Sequence, residues 1–187
     1  MSRYVRVLMA FVGVAQSVVL LVGVAAAQVP GPTKEHEVLK NDVGTWDAKM
    51  KLYHTPDAEP TVQDATETVE LMPGGMWVFA KYESKIMDMP FEGRSVIGYD
   101  PVKKKYVGTW VDNMNPHLML IEGDYDPITK TMTSFSETRD PVSGKMIKYK
   151  QIARTIDENS RTFEMYQPDD KGEYVKMMEV EYTRRAK

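Results

Sequence analysis

The sequence predicts an all-β protein, an antiparallel up-and-down β-barrel of about ten strands behind a short N-terminal helix. Three observations carry that expectation. Segments rich in Val, Thr, Tyr, Trp and Phe recur from Gly44 to Thr183, each too short for a helix and suited to a strand. The breaks between them carry turn chemistry, above all Asp100-Pro101, Asp126-Pro127 and Asp140-Pro141. In such pairs the carboxylate accepts a nearby backbone N–H and Pro arrives with φ already set. No internal stretch sustains a helical period. Consecutive strands joined by tight turns make a meander, and a long meander removes its own edges by closing.

Residues 1–27 read as a cleaved signal peptide: Arg3 and Arg6 lead, 7–24 is apolar apart from Gln16 and Ser17, and Ala25-Ala26-Ala27 offers a cleavage site. A retained anchor is the alternative, since the apolar run approaches spanning length. With cleavage, the chain is expected to be periplasmic or secreted, with no stable membrane insertion. Residues 28–43 form a linker and a short helix. Thr33 is the expected N-cap, Glu35 and Glu37 lie in the first turn, and Gly44 stops the helix. His36, Leu39 and Val43 fall near one stripe, so the helix should cover one end of the barrel.

Residues 44–187 make the barrel domain. Strands are expected at 44–54, 62–71, 76–87, 91–99, 105–112, 117–125, 131–137, 145–156, 162–167 and 174–183. Alternation is cleanest in the first, where Trp46, Ala48, Met50 and Leu52 point to the core. In the fifth, Tyr106, Gly108, Trp110 and Asp112 share a face, mixing aromatic, small and acidic residues. Such a face suits a lumen that aliphatic side chains do not fill, and barrels of about eight or more strands can hold a small ligand.

Composition narrows the function classes. Removing 27 of 187 residues leaves 160, enough for one domain with a continuous core. The leader carries two of the 24 Lys and Arg and no acid, so 22 bases face 27 acids, a net charge of −5. That argues against nucleic acid and anionic membrane as partners. Cysteine is absent, which excludes disulfides, thiol catalysis and Cys-ligated metals together.

Gly44-Thr45-Trp46 opens the first strand directly after a short helix. This G-x-W resembles the lipocalin-like, or calycin, barrel, where the Trp packs across the closed end. The resemblance implies a covering basic residue on the last strand, here Arg184 or Arg185. A wider set is similar to a bacterial family of exported domains of unknown function. It comprises His36-x-x-Leu39, Gly44-x-Trp46, Gly98-Tyr99-Asp100-Pro101, Gly108-Thr109-Trp110-x-Asp112 and Glu122-Gly123-Asp124-Tyr125-Asp126. The likeness implies the fold and leaves the activity open. Haem-binding barrels of related shape place an axial His late in the chain, whereas the last His here is His117, so no cofactor is expected.

No nucleophile elbow, zinc-protease motif or phosphate loop occurs. His36, His54 and His117 are spread over the helix, a strand end and a loop, so they read as surface or rim residues and no metal site is expected. Asp124-x-Asp126 begins like a calcium loop but lacks its later ligands, and a turn explains it better. Of the 14 Met, those at 87, 89, 114 and 119 suggest a cluster near one rim. Core filling, or an adaptable lining for an apolar ligand, is preferred over a thioether copper site.

Trp77, Tyr99, Trp110, Asp112 and Glu122 are the candidate lumen residues. The first functional expectation is therefore an exported barrel binding a small, largely apolar molecule. The second is a structural or interaction module, with a homodimer as one arrangement. The third is an enzyme using Asp112 and Glu122 as acid and base.

Overall fold

The computed structural model describes residues 31–186 apart from 56, 57, 87 and 142. The leader reading of residues 1–27 lies outside them, as does Met87. The described chain is one helix, α1 (His36–Lys40), and ten strands. They are β1 (Gly44–Leu52), β2 (Thr61–Leu71), β3 (Trp77–Ile86), β4 (Met89–Asp100) and β5 (Lys105–Asp112). Next come β6 (Met119–Asp126), β7 (Thr131–Arg139), β8 (Met146–Thr155), β9 (Ser160–Pro168) and β10 (Tyr174–Arg184). Each strand pairs antiparallel with the next, and β1 pairs with β10 from Trp46↔Arg184 to Leu52↔Met178. The sheet thus closes into a ten-stranded barrel and leaves no edge to template another chain.

The Asp-Pro turns work as their chemistry requires. Asp100 Oδ1 accepts from the N–H groups of Val102 (2.8 Å) and Lys103 (3.0 Å), and Asp126 Oδ1 accepts from Ile128 N–H (2.9 Å). Four residues beyond each Asp, Lys104 and Lys130 take positive φ and turn the chain into the next strand. Asp126 is thereby a turn residue, and Asp124 pairs with Lys105 at 2.5 Å.

The helix is shorter than the expected 33–43. Its N-cap is Glu35, with no side-chain cap. Thr33 instead closes a turn: its carbonyl accepts from His36 N–H (3.1 Å) and its own N–H donates to His36 Nδ1 (2.9 Å). His36 is consequently buried, not a surface or rim residue, with its ring edge-on to Tyr99 at 5.8 Å. The helix rests on β3 and β4, and Tyr106 donates to the Glu35 carbonyl at 2.9 Å. It covers the barrel end where β1 begins.

Trp46 is 1% exposed at that end and donates to the Asp42 carbonyl at 2.8 Å. The Arg184 guanidinium lies 4.0 Å from its ring and also donates to the carbonyls of Asn41 and Val43, each at 2.6 Å. One side chain thus covers the indole and satisfies carbonyls left open where the helix ends. Gly44 is required there: its φ is +138°, and a Cβ would stand 2.6 Å from Arg184 Nη1.

Candidate functional site

Period-two alternation sends every second side chain into the barrel. From β1 these are Trp46, Ala48 and Met50, from β3 Val78, Ala80 and Tyr82, and from β7 Ser134, Ser136 and Thr138. They do not fill it. A cavity of about 450 Å³ remains, with Val38 and Leu39 at the helix end and Phe91, Asn115 and Met119 at the other. That volume falls in the range of small-molecule pockets, and the walls are mostly apolar with a few polar groups, as such pockets are.

The cavity has a distinct aromatic wall. Phe91 and Trp110 stack at 26° with centroids 6.5 Å apart, and Tyr82 meets both edge-on. Trp110 lies over Gly93 on the neighbouring strand, where a Cβ would stand 2.0 Å from the indole. The absent side chain is what lets the ring lie against the wall. Trp110 Nε1 donates to Asp112 Oδ2 at 2.9 Å, while Asp112 Oδ1 accepts from the N–H groups of Met114 and Asn115. Asp112 therefore lines the cavity chiefly as the anchor of Trp110 and of the loop after β5.

The other candidate residues lie elsewhere. Trp77 occupies the odd-numbered, outward face of β3 and packs against Gly98 outside the barrel. Glu122 lies between inward Ile121 and Gly123, so it points to solvent, where it pairs with Lys103 at 2.9 Å. Tyr99 faces inward but lies under the helix between His36 and Tyr106, away from the cavity wall. Asp112 and Glu122 thus stand on opposite faces of the sheet and cannot share a substrate. A one-residue difference in parity decides each placement. Among the Met expected at one rim, Met119 lines the cavity, while Met89 and Met114 are exposed.

Period-two reading also passes over a buried ionic cluster. Arg161, at the start of β9, donates to Asp42 at 3.1 Å and to Glu67, and its guanidinium lies 4.4 Å from the Tyr182 ring and 4.5 Å from that of Trp46. Burial pushes the Glu67 carboxyl up, against the pull of Arg161. Burial also opposes the charge on Arg161, but Asp42 and Glu67 outweigh it and raise its pKa. Burial pushes the Tyr82 hydroxyl up, and that of Tyr106 to about 12, so both stay neutral. The signal for Glu67 was its place between Ala65 and Val69 on one face of β2. Arg161 gave none, because it sits just past a turn, where an exposed base is the ordinary expectation.

Between β7 and β8, Ser134 donates to Gln151 Oε1 at 3.1 Å, and Gln151 Nε2 approaches Met119 Sδ at 3.9 Å. Among the described residues, no group of three or more His, Cys, Asp or Glu is arranged to hold a metal ion.

The family profile described as a protein of unknown function, DUF1579, matches residues 31–184, essentially the barrel and its helix. The chain belongs to the DUF1579 family. No curated protein matches it in sequence. The DUF1579 barrel is similar in structure to Rv2717c from M. tuberculosis, with a TM-score of 0.63 and 9% identity over 82% of this chain and 99% of that one. A DUF3598-family protein of unknown function from Nostoc punctiforme PCC 73102 aligns over 82% of this chain and 100% of its own, at 9% identity and a TM-score of 0.24. At 9% identity the Rv2717c likeness speaks to the fold alone.

Proposed function

We propose that this DUF1579 chain is an exported carrier that binds a small, largely apolar molecule inside its barrel. The observation that supports it is the 450 Å³ cavity, walled by Tyr82, Phe91 and Trp110 and closed at one end by α1. A barrel built only as a scaffold would gain stability by filling that space. Export rests on the leader pattern of residues 1–27. Intact mass of the exported protein should place its first residue at Gln28, and a retained leader would contradict the assignment.

The binding test is paired. Trp110→Ala should abolish binding of an apolar fluorescent probe, because the indole borders the cavity. Its stability cost should be smaller than that of Trp46→Ala, because a pocket wall already faces a void. Lost stability with unchanged probe binding would overturn the pocket assignment.

A second reading, a self-associating module, draws on Leu118 and Leu120, 52% and 60% exposed, beside Val111 on the outside of β5 and β6. An elution volume matching a dimer, restored to the monomer value by Leu120→Glu, would favour it.

A further inference from the structure

We propose that the cavity selects an uncharged aromatic or conjugated molecule bearing a hydroxyl or carbonyl group, and rejects carboxylates. This rests on the carrier reading. Three independent observations converge on it.

The first is charge. Asp42, Glu67 and Asp112 face the cavity against a single buried guanidinium among the described residues, that of Arg161. Both terminal nitrogens of Arg161 are already committed to Asp42 and Glu67. Lys130 and Arg154 reach the cavity at its helix end and are exposed to solvent. An entering carboxylate would meet three acids against one buried base whose Nε alone is without a partner among the described residues. That single N–H suits a neutral carbonyl and cannot replace the hydration of an ion. A cation fares no better inside, since Asp112 already accepts from three N–H groups and Glu67 is held by Arg161.

The second is hydroxyl groups without partners. Tyr82 Oη and Thr138 Oγ1 belong to cavity-lining residues only 6% and 3% exposed, and among the described residues neither finds a hydrogen-bond partner. A buried polar group left so is unfavourable, and a guest with one donor or acceptor would relieve it. A hydroxyl both donates and accepts, so it matches neutral polar groups of either kind.

The third is the walls. In a ring of ten strands, β9 and β10 stand five positions from β4 and β5. The Phe91–Trp110 stack therefore faces Met165 and Met178 across the cavity. Polarisable thioethers opposite aromatic faces favour a flat, polarisable guest.

The test uses the purified chain and four probes of one ring system: naphthalene, 2-naphthol, 2-naphthoate and 2-naphthylmethylammonium, titrated calorimetrically. 2-Naphthol is expected to bind about tenfold or more tightly than the two ions, and more tightly than naphthalene. Combining Tyr82→Phe with Thr138→Val should erase the preference of 2-naphthol over naphthalene. Neither change should unfold the free protein, because each removes a hydroxyl that has no protein partner. Equal or tighter binding of either ion would overturn the charge selection and leave the carrier reading standing. A 2-naphthol preference untouched in the double variant would overturn the hydroxyl assignment. Failure of all four probes would remove the carrier reading and this inference with it.

Discussion

Arg161→Met is expected to destabilise the protein by about 3–5 kcal/mol at neutral pH, the scale for breaking a buried ion pair by removing one partner. Met replaces much of the volume between Trp46 and Tyr182 but leaves the Glu67 carboxylate buried without its counter-charge. The loss should depend on pH with a definite sign. Burial already raises the Glu67 pKa above its ordinary 4.5, and loss of the guanidinium raises it further. A carboxyl whose pKa is higher folded than unfolded favours folding below the unfolded value and loses that contribution as pH rises through the folded one. The variant's deficit should therefore be largest at neutral pH and narrow as pH falls toward 4.5. Denaturant titrations of both proteins at several pH values read this directly. A deficit that widens on acidification would contradict the assignment of Glu67 as the stranded charge. Pairing the change with Glu67→Leu should recover much of the loss, because two apolar side chains can replace a buried pair at little cost.

Trp46→Ala should cost about 3–5 kcal/mol, as removal of a fully packed aromatic does. Three contributions act together at this one side chain. The indole is 1% exposed, so truncation opens a cavity beneath the helix end. Its N–H satisfies the Asp42 carbonyl, which would be left without that donor. Arg161 and Arg184 both lie within 4.5 Å of its ring, and each would lose a cation–π contact. Trp46→Phe should cost distinctly less, since it keeps an aromatic face for the guanidinium groups and loses the N–H bond and part of the volume. An unfolding midpoint for the Ala variant close to that of the parent would show that this end of the barrel does not hold the fold together.

What the sequence by itself determined was local. Each strand needs only β-favouring side chains bounded by turns, and each Asp-Pro turn is specified by its own few residues, so ten strands could be counted and their order inferred. The inward side of Trp46 was readable from alternation in β1, and its place at the barrel end from the resemblance of Gly44-Thr45-Trp46 to calycin barrels. Arg161 and Arg184, which cover its ring, nevertheless lie far along the chain. The cavity wall was half readable. Trp110 and Asp112 share a strand face with Tyr106 and Gly108, and alternation carried them inward together. Trp77 and Glu122 point outward because parity within β3 and β6 depends on where pairing starts, which neighbouring strands set. Only the tertiary structure decided the rest. Phe91, Tyr82 and Trp110 meet because three strands lie side by side in register. Arg161 reaches Glu67 across 94 residues because closure of β1 on β10 brings β2 and β9 to either side of the seam. Contacts made by closure carry no trace in local patterning, since the residues that meet are separated by most of the chain.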